Sequence, residues 1–271
     1  MNMRTLSLAA LSLLDVPPPE QVRIAARTGF THVGLRLLPA TPADPDYNML
    51  GDTPAVRATL VALMETGIRV SDVEIVRLSP GFTLDDRLQR FMETAARLGA
   101  GQVLVAGNDD NLQRSADNLA TLAAAGRSFG LTMNLEPMPW TQLRTIADAQ
   151  ALIAASGRED IGILVDAFIS GARGIARRPL QPARASSELY ATLRWRGAAA
   201  GKRAGAHPPG PLSAQRAGGR RSGSARSDGG TAATLPVSLE VPLDGEQGAL
   251  PPLQRAQLLF NAAQPYLRSC A

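Results

Sequence analysis

The chain has 271 residues, 45% of them hydrophobic, a length that fits one large α/β domain. Its single cysteine, Cys270, lies one residue from the C-terminus, which excludes an internal disulfide and a cysteine metal cluster. The sequence pI of 9.9 would suggest an anionic partner, but residues 169–234 hold 12 of the 28 Lys and Arg residues and only 2 of the 24 Asp and Glu residues. The rest of the chain is acidic, and we expect no nucleic-acid partner.

The sequence contains no apolar stretch long enough to cross a membrane and no recognisable secretory leader. We therefore expect a soluble, cytoplasmic protein with a small-molecule partner and no membrane partner. The sequence leaves open whether the chain forms a homo-oligomer.

Strand-like and helix-like segments alternate along residues 1–168. Short apolar strands are predicted at 6–10, 32–37, 68–76, 103–106, 131–136 and 161–165. Helices are predicted between them at 19–28, 53–65, 83–98, 111–129 and 141–155, with Thr83 as the cap of the third. A strand at 235–242 and a helix at 253–267 would form the eighth unit. Apolar strands separated by helices indicate a parallel sheet covered on its faces, and this many consecutive units favour a closed (β/α)8 TIM barrel.

The basic segment, residues 169–234, interrupts this pattern inside what we treat as a single domain. It is dominated by Arg, Ala, Gly, Pro and Ser, and apolar alternation is seen only around residues 189–195. The sequence therefore predicts that the seventh strand is missing and that the barrel is disrupted or disordered here. One interpretation is a basic insertion that binds nucleic acid or anionic surfaces. Our preferred hypothesis is out-of-frame reading of a GC-rich coding sequence, because the 74 positions from Asp166 to Glu240 are about what the missing elements would occupy.

Three apolar runs each end in a carboxylate: Thr132-Met-Asn-Leu-Glu136, Ile161-Gly-Ile-Leu-Val-Asp166 and Val237-Ser-Leu-Glu240. The C-terminal ends of parallel barrel strands converge on one mouth, so we expect Glu136, Asp166 and Glu240 to face the same volume. Carboxylates that crowd together repel one another unless a cation neutralises them, and oxygen ligands suit Mg²⁺ or Mn²⁺. The sequence predicts a divalent-metal site, although each carboxylate could instead be solvated or cap the following helix.

Three weaker candidates could contact a substrate. Glu74 lies near the end of the third strand, where a salt bridge with Arg36 or Arg77 is the alternative. Trp140 follows the fifth strand and would either line the pocket or pack within its loop. Asn108 opens an Asn-Asp-Asp run after the fourth strand and would contact substrate or belong to the cap of the next helix.

Several of these pieces together resemble the sugar phosphate isomerase/epimerase group of xylose-isomerase-like barrels: Thr31-His-Val-Gly-Leu-Arg36, Val73-Glu-Ile-Val-Arg77, Asn134-Leu-Glu-Pro-Met-Pro-Trp-Thr141, Leu164-Val-Asp-Ala-Phe168 and Ser238-Leu-Glu-Val-Pro242. The resemblance covers residues 1–168 and 235–271. It implies a divalent metal held by Glu136, Asp166, Glu240 and a fourth ligand from the seventh strand. It also implies that Glu136 and Glu240 are the catalytic acid/base pair, which moves a proton through an enediolate.

The chain departs from this family pattern at two points. The family usually has an Asp-x-x-His arrangement after the sixth strand, but Ile169 occupies the histidine position, and the seventh-strand ligand has no counterpart. One alternative function is therefore a defective or non-catalytic barrel. Another is a relative of apurinic-site endonucleases, which need a histidine-rich multi-zinc site. This chain has only His32, at the start of its strand, and His207, in the basic segment.

Overall fold

The structure is a computed structural model that describes residues 5–166, 189–193, 236–241, 243 and 245–268, with the side chains of 189–193 and 265–268 left out. Eight parallel strands form the barrel: β1 Leu6–Leu8, β2 His32–Arg36, β3 Arg69–Leu78, β4 Gln102–Gly107, β5 Thr132–Leu135, β6 Ile161–Asp166, β7 Leu189–Leu193 and β8 Val237–Leu239. Each strand pairs with the next, and β8 pairs with β1, which closes the barrel. The predicted TIM barrel is confirmed.

The prediction that the seventh strand is missing is wrong. Strand β7 pairs with β6 from Leu189, which lies opposite Ile163, and with β8 up to Leu193, which lies opposite Leu239. Its sequence, Leu-Tyr-Ala-Thr-Leu, is the part of the basic segment where apolar residues alternate, and five residues suffice to bridge β6 and β8. Residues 167–188 and 194–235, and the predictions made for them, lie outside the described residues.

The helices that surround the barrel are α1 Pro18–Thr28, α2 Pro54–Thr66, α3 Asp86–Arg97, α4 Leu112–Arg127, α5 Ile146–Ser156, a short α6 Gly245–Gly248 and α7 Pro252–Arg268, with a 3-10 helix at Ala10–Leu13. Among the described helices, none is both long and apolar enough to span a bilayer.

Two helices begin later than predicted. Asp85 caps α3 in place of Thr83, because its carboxylate accepts a hydrogen bond from the Leu88 N–H at 2.9 Å. Helix α5 starts only after Thr145, which forms a capping box with Asp148. The preceding residues form a loop instead of a helical turn, since the Thr141 hydroxyl donates to carbonyls within that loop.

The apolar core lies between the strands and the helices. Strand residues alternate in direction, so that Met133 and Leu135 belong to this helix-facing core while Asn134, between them, points into the barrel. A second, smaller apolar cluster lies inside the barrel and is made of Ile75, Leu104, Ala106, Met138 and Leu164. This inner cluster forms the floor beneath the C-terminal strand ends.

Candidate active site

Strand alternation directs the three predicted carboxylates into the barrel. Glu136 follows Leu135, Asp166 follows Val165, and Glu240 stands between Leu239 and Val241, all of which contact the helix-facing core. The carboxylate residues therefore point the opposite way, toward the barrel axis. Glu136, Asp166 and Glu240 are 1%, 2% and 5% exposed, so they are buried residues at the C-terminal ends of β5, β6 and β8.

Glu136 is fixed by an extension of the strand pairing. Its N–H donates to the Val105 carbonyl at 2.9 Å, one residue beyond the end of β5. The loop that follows is tied to the end of β4, because the N–H groups of Gln142 and Leu143 both donate to the Gly107 carbonyl, at 3.1 and 3.2 Å. Backbone hydrogen bonds on both sides of Glu136 thus set its position at the mouth.

Glu240 is fixed by a buried serine from the other end of the chain. The Ser12 hydroxyl accepts a hydrogen bond from the Val241 N–H at 2.8 Å and donates to the Leu239 carbonyl at 2.9 Å. Ser12 is 2% exposed, and its two hydrogen bonds hold the backbone in position on either side of Glu240. Sequence analysis missed this residue, although a polar side chain between Leu11 and Leu13 is a usable signal.

Arg36, at the end of β2, connects the mouth to two further carboxylates. Its Nε and NH2 groups donate to one carboxylate oxygen of Glu74, at 3.1 and 2.6 Å, and its NH1 group donates to Asp44 at 3.0 Å. Burial acts to lower the pKa of Arg36, but the charges of Glu74, Asp44 and Glu240 outweigh it and raise that pKa. Glu240 therefore lies close enough to interact electrostatically with Arg36, and the ends of β2, β3 and β8 meet at one place.

The structure resolves the alternatives for Glu74 and Asn108. Glu74 pairs with Arg36 and not with Arg77, and its side chain is 4% exposed. Asn108 does not cap α4, because the cap is Asn111, whose side chain accepts from the Arg114 N–H at 2.9 Å. Asn108 instead lies on the rim of the mouth.

Trp140 is 46% exposed in the loop after β5, and its role in the pocket stays a prediction. His32 lies at the start of β2, opposite Ser7 in β1 and Arg69 in β3, and is therefore at the far end of the barrel from the carboxylates, as predicted.

Asp44 was not singled out by sequence analysis. Its only local signal is the Thr41-x-x-Asp44 spacing, in which the Thr41 hydroxyl donates to the carboxylate at 2.7 Å.

The donor chemistry of Glu136, Asp166 and Glu240, three carboxylates, suits a hard divalent cation. Within the part of the chain that the structure describes, no group of three or more His, Cys, Asp and Glu side chains could hold a metal ion. The fourth predicted ligand would come from β7, whose side chains are outside the described residues, so the metal ligand set stays a prediction.

A closed parallel barrel with buried carboxylates at its C-terminal mouth has the architecture of a TIM-barrel enzyme. The sequence profile of the family described as xylose isomerase-like TIM barrel matches residues 22–170, more than half of the chain. The chain therefore belongs to the xylose isomerase-like TIM barrel family. No curated protein sequence matches it significantly.

Solved structures show the same fold at low sequence identity. A xylose isomerase-like TIM barrel/4-hydroxyphenylpyruvate dioxygenase fusion protein is 20% identical with a TM-score of 0.65; the match covers 98% of this chain but only 43% of the fusion protein. The IolI protein, whose crystal structure holds a zinc atom, is 14% identical with a TM-score of 0.66, covering 98% of this chain and 99% of IolI. The D-allulose 3-epimerase of Methylomonas sp., in complex with D-allulose, is 14% identical with a TM-score of 0.64, covering 99% of this chain and 98% of the epimerase.

Proposed function

We propose that this chain is an isomerase or epimerase of a small sugar-like substrate and that it works by proton transfer between Glu136 and Glu240. The observation that carries this proposal is the placement of buried carboxylates on inward-facing positions directly after β5, β6 and β8. The epimerase among the structural relatives supports the class of reaction.

The reaction needs a base and an acid beside one carbon. In the proposed mechanism, Glu136 takes the proton from the carbon next to the substrate carbonyl, and the electron pair of that bond moves onto the carbonyl oxygen to give an enediolate. Glu240 then delivers a proton to the opposite face of the same carbon while the C=O bond re-forms, which is epimerisation. If the proton goes instead to the former carbonyl carbon, and the hydroxyl proton of the first carbon passes to the former carbonyl oxygen, the result is isomerisation.

Metal dependence is the second part of the proposal. A divalent cation such as Mn²⁺ or Mg²⁺, when bound, would polarise the carbonyl, but no step assigned above to Glu136 or Glu240 uses it. Activity should be compared after treatment with a chelator and after addition of Mn²⁺ or Mg²⁺. A rate that returns only with the cation would support metal dependence.

The deciding experiment is proton exchange in D2O. A panel of ketoses and keto-sugar acids is incubated with the protein, with and without Mn²⁺, and deuterium at the carbon beside the carbonyl is followed by NMR. We expect exchange in the wild type and a loss of about 10²- to 10⁴-fold in Glu136→Gln, the contribution typical of a general base. Glu93→Gln, an exposed residue of α3, is the matched control and should keep full activity.

Absence of exchange across the whole panel in folded protein, or equal rates in Glu136→Gln and wild type, would reject the proposal. The defective barrel is not favoured, because the seventh strand is present and the barrel is closed; the departure at Ile169 lies outside the described residues. The endonuclease is not favoured either. The only histidine among the described residues is His32, which lies at the opposite end of the barrel.

A further inference from the structure

Arg77 lies on the rim of the mouth and faces the barrel interior. The register between β3 and β4 shifts between Val73 and Val76, after which Arg77 pairs with Ala106. Paired residues of neighbouring strands point to the same side of a sheet, and Ala106 belongs to the inner cluster. Arg77 is exposed, so its guanidinium reaches the solvent above that cluster.

Asn108 lies next to Arg77 and adds further donors. The Asn108 N–H donates to the Leu78 carbonyl at 2.7 Å, which anchors the residue at the end of β4. Its side-chain oxygen accepts a hydrogen bond from NH1 of Arg77 at 3.3 Å. Because the oxygen is turned toward Arg77, the amide NH2 group is turned away from it and presents donors at the rim.

The charge of Arg77 is not balanced within the described part of the chain, unlike that of Arg36. Arg36 forms salt bridges with Glu74 and Asp44, whereas no salt bridge of Arg77 is found among the described residues. The two acids that follow Asn108 do not serve this purpose, because both pair with Arg114: Asp109 at 2.6 Å and Asp110 at 3.7 Å.

We propose that Arg77 and Asn108 bind an anionic end of the substrate, a phosphate ester or a carboxylate, while the carbonyl end lies among the buried carboxylates. The inference rests on the isomerase or epimerase function proposed above and narrows its substrate to charged sugars. A guanidinium and an amide that offer only N–H groups at one rim are complementary to an oxyanion, and charge-assisted hydrogen bonds are the strong ones. Ala106, the residue that pairs with Arg77 on β4, has no polar side chain, which would leave the anion's contacts to Arg77 and Asn108.

The test compares D-fructose with its two terminal phosphate monoesters and with a hexulosonate of the same length. Comparison of the phosphate esters with the hexulosonate shows whether the site prefers a phosphate or a carboxylate. Dissociation constants are measured by calorimetry on Glu136→Gln, which does not need turnover, and exchange rates on the wild type. The variants are Arg77→Gln, Arg77→Lys and, as a matched control with the same loss of charge on α3, Arg87→Gln.

We expect at least one anionic sugar to bind about tenfold or more tightly than D-fructose, and Arg77→Gln to remove most of that preference through KM with little change in kcat. Arg77→Lys should restore part of it, Arg87→Gln should leave it intact, and added salt should weaken it only where Arg77 is present. Equal binding of neutral and anionic sugars, or the same loss in Arg87→Gln, would overturn the inference.

Failure of this inference can be told from failure of the proposed function. Anion binding that depends on Arg77 without any proton exchange would support the anionic subsite and reject the isomerase or epimerase. Proton exchange of neutral sugars that is unaffected by Arg77→Gln would support the isomerase or epimerase and reject the anionic subsite.

Discussion

Near the strand starts, the polar groups inside the barrel bond to one another, whereas at the strand ends the inward-facing side chains are mostly carboxylates. At the lower end the Ser7 and Ser71 hydroxyls lie 2.7 Å apart, and Ser71 donates to the Asp72 carboxylate at 2.5 Å. At the upper end Glu136 and Glu240 are buried at the mouth. The lower end therefore resembles a stabilising polar network, whereas the upper end holds the carboxylates to which the proposed chemistry is assigned.

The same strands supply both ends, so the difference between the ends comes from the room around each polar side chain and from the groups that it contacts. Asp72 fits inside the barrel because β2 has Gly34 beside it, where an added Cβ would lie 2.7 Å from the carboxylate oxygen. At the upper end, Arg36 forms ion pairs with Glu74 and Asp44. Substitutions at the two ends should thus separate activity from stability.

The largest expected effect is on activity, from Glu240→Gln. Loss of a general acid should lower the exchange rate by about 10²- to 10⁴-fold. The free energy of unfolding should stay within about 1 kcal/mol of wild type, because the substitution removes repulsion from the other buried carboxylates and also attraction to Arg36. Exchange by NMR and urea unfolding measure the two effects on the same preparation. A loss of stability of several kcal/mol would show instead that Glu240 has a structural role.

Gly34→Ala should have the largest effect on stability among these substitutions. The new methyl group collides with Asp72, a buried carboxylate, and overpacking of this kind costs about 1–3 kcal/mol. Gly101→Ala is the matched control, because an added Cβ there meets no atom within 4 Å. Urea unfolding should show a lower midpoint for Gly34→Ala alone. Equal midpoints for the two variants would contradict the tight fit at the lower end.

Ser12→Ala should lower both activity and stability, each by less than the substitutions above. It leaves the Val241 N–H and the Leu239 carbonyl without their side-chain partner, at a cost of about 1–2 kcal/mol. Because these groups flank Glu240, kcat should fall severalfold while KM changes little. Ser12→Thr, which keeps the hydroxyl, is the comparison. A fall in stability with unchanged kcat would show that Ser12 does not position Glu240.

Much of this architecture is predictable from local sequence. Apolar runs separated by helices predicted the barrel, and the carboxylate at the end of each run predicted that Glu136, Asp166 and Glu240 would lie at one mouth, since the C-terminal ends of parallel barrel strands converge there. Helix starts were less predictable because Thr83 and Asp85 are both good caps, and in the structure it is Asp85 whose side chain accepts from the Leu88 N–H.

Features that depend on register or on loop shape could not be read from the sequence. Simple alternation from Val73 would turn Arg77 toward the helices, and only the shifted register after Val73 brings it to the interior. The contact of Arg36 with Asp44 depends on the path of the loop after β2. Strand β7 was missed because basic and glycine-rich neighbours obscure five ordinary strand residues. Sequencing the coding DNA for residues 165–240 would test whether those neighbours are read out of frame.

The smallest expected effect is a pH dependence at the lower end. Burial first, and then the charge of Arg69, lower the pKa of His32 from its usual value of 6.5. Folded His32 therefore stays neutral at pH values where the unfolded chain already binds a proton. The folded state should lose stability as pH falls below about 6.5, until the lowered folded pKa is reached, and should show no such loss above that pH.

His32→Gln removes the titrating group and keeps a polar side chain at the start of β2. Unfolding free energies of wild type and variant, measured from pH 8 downward, should differ by a constant amount above about pH 7 and should then shift in favour of the variant as the pH falls. Exchange activity per folded molecule should be equal in the two proteins, because His32 is at the end of the barrel away from Glu136 and Glu240. If the wild type instead became more stable than the variant at low pH, the protonated form of His32 would stabilise the folded state. The inference that burial keeps His32 neutral at the lower end of the barrel would then be wrong.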